Sequence, residues 1–149
     1  MAKKKNEEVA GVAACLLADS YTLYLKTHNY HWNVTGPMFT TLHTLFETQY
    51  TELATAVDLI AERIRALGER APGSYAEFSK LSKVKDATGT PKAEKMIRDL
   101  VADNQAVADS ARDLVAAAEA AGDDATADLG VQRIEVADKN AWMLRSHLE

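Results

Sequence analysis

Apolar positions recur every three or four residues along nearly the whole chain, and a few breaks divide that rhythm into helices. The first pattern runs from about Asn6 to Asn33, with Val9, Ala13, Leu16, Leu17, Ser20, Tyr24 and His31 on one stripe. Thr35-Gly36-Pro37 interrupts it, and the proline suits a helix start. The second pattern carries Leu42, Leu45, Leu53, Val57, Ile60 and Ile64 and reaches about Leu67, with Gly68 as its C-terminal cap. A long connection follows through Ala71-Pro72-Gly73. Inside it, Ser74 with Glu77 three residues on is a capping box that opens a short helix through Phe78. Thr90-Pro91 opens the third long helix, which ends near Ala121 at Gly122. Asp123-Asp124 start the fourth, where Ile134, Ala137, Ala141, Leu144 and Leu148 recur at threes and fours.

Four long helices and no strand pattern predict an all-α, four-helix bundle with a short helix in the link between the second and third helices. That link is too long for adjacent antiparallel neighbours, so it is expected to cross the bundle. Residues 1–8 read as a short basic tail and residues 9–149 as the bundle. With 149 residues the chain is one domain with enough length for a real core.

Charge and targeting signals narrow the function classes. A net charge of −5 should repel nucleic acid and acidic membranes unless charge is segregated, and Lys3, Lys4 and Lys5 are the segregated exception. Val12-Ala13-Ala14-Cys15 superficially resembles a lipoprotein cleavage box. However, Glu7 and Glu8 interrupt the start, and the helical pattern continues past the cysteine. No run approaches the roughly 20 apolar residues of a membrane span. The single cysteine excludes an internal disulfide, fits a reducing compartment and reads as a small core residue, so a cytoplasmic location is expected.

The chemistry concentrates in one region. His31, His43, Glu47, Asp58 and Glu62 fall within 32 residues. Imidazoles and carboxylates of this kind suit iron. His43 and Glu47 are four apart, as are Asp58 and Glu62, so each pair projects from one helix face. Glu47 and Asp58 are eleven apart and share the stripe, but eleven helical residues rise about 16 Å. One metal centre cannot span that distance. Either there are two weak sites, or one copy's upper pair meets another copy's lower pair. Di-iron centres inside a single bundle use Glu-x-x-His motifs, and this chain has none, which favours a site between copies.

The other candidates have ordinary readings. His28 and His147 read as hydrogen-bonded core histidines. Trp32 reads as core by its size, and Met38, Met96 and Met143 as packing. Asp58 and Glu62 have Arg63 and Arg65 as possible surface partners. Asp123 suits a helix's first turn, where the macrodipole favours acids; Asp128 lies beyond it.

His31-Trp32, His43 and Asp58-x-x-x-Glu62-Arg63, with Gly122-Asp123-Asp124-Ala125-Thr126-Ala127-Asp128 opening the last helix, resemble the Dps family of mini-ferritins over nearly the whole chain. That resemblance implies a ferritin-like bundle assembled as a hollow dodecameric shell. It implies intersubunit di-iron ferroxidase centres, with His31 and His43 from one subunit and Asp58 and Glu62 from its neighbour. Hydrogen peroxide would be the oxidant, taking one electron from each of two ferrous ions, and ferric mineral would collect in the cavity. Glu62 would bridge the irons, and Trp32 would absorb stray oxidising equivalents. Asp124 and Asp128, with Glu119 beside them, would line an entry pore.

Two departures from the family pattern stand out. Position 47 is commonly aspartate in the family and is Glu47 here, one methylene longer, which alters its reach to iron. The tail offers only Lys3, Lys4 and Lys5 for DNA, so weak, non-specific binding is expected. The expected activity is therefore iron storage and detoxification that protects DNA. The rival is a nucleoid-binding, DNA-compacting structural protein with secondary iron binding.

Overall fold

The computed structural model describes residues 2–149. Its elements are α1 (Ala2–Asn33), α2 (Phe39–Ala66), α3 (Tyr75–Leu81), α4 (Ala93–Ala120) and α5 (Asp124–Arg145), followed by a 3₁₀ turn, Ser146–Leu148. Among the described residues there is no strand. The four long helices and the short one are those the hydrophobic rhythm predicts. Ser74 accepts the Glu77 backbone N–H at 3.2 Å, and Glu77 Oε2 accepts from Gly73 N at 2.8 Å. The capping box therefore forms, with the glutamate reaching one residue further back than the usual reciprocal bond.

α1 begins at Ala2, so residues 2–8, expected as a basic tail, are helical; Met1 lies outside the described residues. Lys3, Lys4, Lys5, Glu7 and Glu8 are helical and exposed. Lysine and glutamate are good helix formers, and Asn6 Nδ2 donates to the Leu67 carbonyl at the end of α2 at 3.3 Å, which ties this first stretch to the body.

The packing follows from the apolar stripes. α1 lies against α2 and α4, α4 lies against α5, and the backbones of α2 and α4 do not approach closely. Leu16, Leu42, Phe46, Ile60, Leu100, Leu114 and Leu144 are fully buried between them. Each such side chain contributes about 1.5–3 kcal/mol by leaving water. The pairs Tyr30–Asp99, Lys26–Asp103 and Asp19–Ser110 run in opposite order along α1 and α4, so these helices are antiparallel. α2 and α4 therefore run parallel on the diagonal, and the link has to return along the bundle. It does so over α1, where α3 buries Phe78.

A buried carboxylate anchors that return. Asp19 is fully buried on α1 and accepts from Ser82 Oγ at 3.1 Å, Lys83 N at 2.6 Å and the Ser110 hydroxyl of α4. Gly130 lets α5 approach α4 closely, since a Cβ there would stand 2.7 Å from Val115 Cγ2. Cys15 is half-buried rather than in the core, and burial, then the nearby Asp19 carboxylate, push its thiol up and away from the reactive thiolate.

By length and composition alone α1 would pass for a helix apolar enough to cross a bilayer, as the core helix of a folded bundle also can. Half of its apolar window is buried within the bundle, with Asp19 and Lys26 buried inside the same helix beside their partners.

Candidate metal centre

The turn after Asn33, with Gly36 at φ 103°, folds the start of α2 back onto the end of α1 and brings His31 and His43 face to face. Their rings stack 3.8 Å apart with 13° between planes. His31 Nδ1 donates to the His43 carbonyl at 2.7 Å, and His43 Nδ1 donates to the His31 carbonyl at 2.7 Å. A carbonyl only accepts, so each Nδ1 carries its proton and each Nε2 keeps a free lone pair. This is how a metal-binding imidazole is oriented by its outer hydrogen bond. His31 is 6% exposed, while Phe39 stacks against His43 at 5.0 Å. One turn along α2, Glu47 places Oε1 3.8 Å from His31 Nε2.

Asp58 and Glu62 lie further along the same helix, both exposed on the outward arc that also carries Thr51, Ala54 and Leu59. Arg63 and Arg65 are engaged elsewhere. Arg63 donates to Thr126 Oγ1 at 2.8 Å and to Asp123 Oδ1 at 3.2 Å, and Arg65 donates to the Glu69 carbonyl at 2.8 Å. The ordinary ion-pair reading of the two acids is therefore not what the chain forms. Asp58 also walls an open groove of about 430 Å³ lined by Leu17, Val57, Ala61 and Phe78. Among the described residues of one copy, no three histidine, cysteine or acidic side chains converge on a common point.

Trp32 is 57% exposed beside His31, not in the core. Its ring lies 3.9 Å from that of His28, tilted by 36°, and His28 stacks on Tyr50 at 4.2 Å. His28 is half-buried; burial, then the neighbouring His31, lower its pKa and keep the ring neutral. Tyr50 also meets His31 edge-on at 5.2 Å. Tyr50 lies seven residues, two helical turns, beyond His43, a spacing that puts it on the same face of α2. His147 Nδ1 donates to the Met143 carbonyl at 2.9 Å and takes no part.

The three acids expected around a pore stand at the other end of the bundle. Glu119 is exposed near the end of α4, Asp124 in the first turn of α5, and Asp128 one turn on, accepting from Gln132 Nε2 at 2.8 Å. Asp123 is the cap, accepting the Thr126 N–H at 3.0 Å. Burial alone would raise its carboxyl, but Thr126 and the Arg63 guanidinium hold it below the usual range. Lys3, Lys4 and Lys5 share this end, at the start of α1.

The model of the ferritin-like domain matches residues 15–149. The "DNA protection during starvation protein 2" of Bacillus anthracis is 36% identical over 96% of this chain and 98% of its own length. The chain belongs to the Dps family. Solved Dps structures share its fold closely. A Dps protein from Bacillus brevis superposes with a TM-score of 0.94 at 34% identity, over 98% of each chain. The Dps protein of Vibrio cholerae O1, described as a member of a broad superfamily of ferritin-like diiron-carboxylate proteins, gives 0.94 at 31% identity over 99% of this chain and 92% of its own. In this Dps chain the two imidazoles face each other from α1 and α2, and Glu47, Asp58 and Glu62 follow His43 along α2.

Proposed function

We propose that this protein oxidises Fe(II), preferentially with hydrogen peroxide, at di-iron centres shared between copies, and stores the ferric product inside a dodecameric shell. The observation that carries this reading is the reciprocal histidine clamp. It presents two pre-oriented Nε2 donors beside Glu47, with Asp58 and Glu62 about 16 Å further along the same helix. Neither half is a complete site, and a second copy laid antiparallel across the groove beside Asp58 would bring each half to the other. The exposed Phe39, Leu59 and Tyr75 give that contact apolar surface.

His31, His43 and Glu47 of one copy and Asp58 and Glu62 of the next would hold the ferrous substrate. Glu62 has the two oxygens needed to bridge two ions. Each iron gives one electron to peroxide, so the O–O bond is reduced to water without release of hydroxyl radical. Trp32, adjacent to a ligand and exposed, is the sacrificial donor when one iron is missing. Asp124, Asp128 and Glu119 form an acidic ring that draws cations inward. The product is DNA protection by removal of both Fenton reactants, in the cytoplasm, where one unpaired cysteine is at home. The rival reading, DNA compaction, rests on Lys3, Lys4 and Lys5, which are exposed.

Size-exclusion chromatography followed by anaerobic Fe(II) loading and a peroxide pulse tests the reading. The expected result is a shell that consumes about two Fe(II) per peroxide at its centres. A monomer that oxidises iron at full rate, or a shell that does not oxidise it, would overturn the proposal.

A further inference from the structure

Two polar ties join α2 to α5, and they bracket the carboxylate half of the ligand set. Arg133 of α5 forks onto Glu52 of α2, with Nη1 donating to Oε2 at 2.6 Å and Nη2 to Oε1 at 2.8 Å. Arg63 of α2 reaches Thr126 Oγ1 at 2.8 Å and Asp123 Oδ1 at 3.2 Å at the start of α5. Glu52 lies six residues before Asp58, and Arg63 directly follows Glu62. On α5, Thr126 and Arg133 are seven apart, two turns, and share one face. On α2, Glu52 and Arg63 are eleven apart and also share a face, roughly 140° round the helix from the stripe of His43, Glu47, Asp58 and Glu62. The ties therefore face the bundle while the carboxylates face out.

Along this stretch the other buried residues of α2 are Leu53, Ala56, Ile60 and Ile64, all apolar. Apolar burial is non-directional and does not fix how a helix rolls about its own axis. A bidentate guanidinium–carboxylate pair does, because its two parallel bonds demand one orientation. Arg133 is 5% exposed, and burying a guanidinium is costly enough that two apolar side chains of similar volume would serve stability as well. The fork thus supplies direction that the apolar packing lacks.

We infer that Arg133 is a positioning residue of the iron centre: through Glu52 it sets the roll of the stretch of α2 that carries Asp58 and Glu62. The inference rests on the ferroxidase reading above. The histidine half has its own clamp, the reciprocal bonds of His31 and His43, about 16 Å away along α2. Nothing in that clamp reaches the carboxylates. A helix with its side chains is about 10–12 Å across, so a roll of about 10° moves a side-chain tip by about 1 Å. Metal–ligand distances tolerate about 0.2 Å. In a shared centre the carboxylates meet histidines held by a different copy, which do not follow the roll. Arg133 itself does not touch iron; it acts through Glu52 and the helix.

The test places the substitution on one side of the centre at a time. In mixed shells of His31→Ala and Asp58→Ala copies, a restored centre takes its carboxylates from the His31→Ala copy and its histidines from the Asp58→Ala copy. Glu52→Gln with Arg133→Met removes both charges together and leaves no unpaired buried ion. On the copy that gives the carboxylates, this pair should weaken anaerobic Co(II) binding at the restored centres, read by visible absorption, by about tenfold. Peroxide-driven iron oxidation should fall several-fold with it. On the copy that gives the histidines, the same pair should cost less than about twofold, since the histidine clamp orients that half. Arg133→Lys keeps the charge and loses the fork; it carries the same comparison, with the same asymmetry expected, if the double variant does not assemble. Equal losses in the two placements, a larger loss on the histidine-giving copy, or no loss in either would overturn the inference and leave the ferroxidase reading intact. No recovery in the parental mixture, or no iron oxidation by the parent protein, would instead remove the shared-centre reading, and with it the site that Arg133 positions.

Discussion

His31 and His43 each donate an Nδ1 proton to the other's backbone carbonyl at 2.7 Å, so the tautomer of each ring is set by the chain position of the other. Neither imidazole relies on a separate carboxylate for orientation. Loss of either residue therefore disturbs both: the survivor loses its stacking partner, and the replaced side chain no longer ties the end of α1 to the start of α2. His31→Ala and Asp58→Ala should each abolish fast peroxide-driven iron oxidation. When the two variants are mixed at random during reassembly, about one quarter of the centres should regain a full ligand set if each centre takes its histidines and its carboxylates from different copies. Absorbance kinetics on mass-verified mixed shells measure the recovery. None at all would show that the ligands come from one chain.

The helices, their order and the capping box at Ser74 were legible because burial on one face writes a 3.6-residue period into the chain. The clamp was only half legible. The spacing of His43 and Glu47 is local to α2, but the meeting of His31 with His43 depends on how a turn at Gly36 closes two helices, which no periodicity records. Trp32 misled by size. Large aromatics usually bury, yet the buried side of α1 here is taken by Thr27, Tyr30 and His31. The fate of Arg63 was equally hidden, because its partners Asp123 and Thr126 lie 60 and 63 residues away.

Asp19 gives a stability prediction. It is fully buried and serves three donors from two other segments. Asp19→Ala would leave the Lys83 N–H and two hydroxyls without their acceptor, at a cost of about 3 kcal/mol or more. Asp19→Asn should cost much less, since its oxygen still accepts from Lys83 N and its amide can donate to the Ser110 hydroxyl. Urea unfolding of both variants measures the difference. Equal losses would mean that the carboxylate's charge, and not its acceptors, anchors the link.

Asp123 links stability to pH. Its folded carboxyl lies below the ordinary 3.8, so the native state favours the ionised form. The stabilisation is present at neutral pH, above the unfolded value, and is lost as pH falls through the lower folded value. Asp123→Ala removes the cap of α5 and the Arg63 pair together, and should cost about 1–2 kcal/mol at pH 7. The gap in melting temperature between parent and variant should be constant from pH 7 to about pH 5 and close below about pH 3. A gap that stayed constant down to pH 2 would assign the effect to packing.

Iron entry should depend on the acidic end of the bundle. Asp124 and Asp128 are exposed one turn apart on α5, and neither is tied to a basic side chain among the described residues. Asp124→Asn with Asp128→Asn should slow iron uptake, and more so at low ionic strength, where the field reaches further. Metal binding at the centres should survive. Stopped-flow uptake at two salt concentrations is the measurement, and unchanged rates at both would place the entry route elsewhere.

DNA binding should be weak, and the structure gives the reason. Lys3, Lys4 and Lys5 are not on a free tail: they occupy the first turns of α1, so they cannot reach far from the shell. Glu7 and Glu8 stand four residues beyond Lys3 and Lys4, one turn on along the same helix face, and offset part of the attraction. The positive end of the helix dipole adds little to this, because it falls off within the first turn. A shell nonetheless displays the cluster many times, and multivalency turns several weak contacts into a measurable one. Binding should therefore be independent of DNA sequence and should fall steeply with salt, since counterion release drives it. Lys3, Lys4 and Lys5 changed together to Gln keep the helix formers in place and remove only the charge. Gel shifts of that variant should show no binding at low salt, with iron oxidation at the parent rate. If the variant still bound DNA tightly at physiological salt, another surface would be responsible, and DNA compaction would outrank iron storage as the primary role.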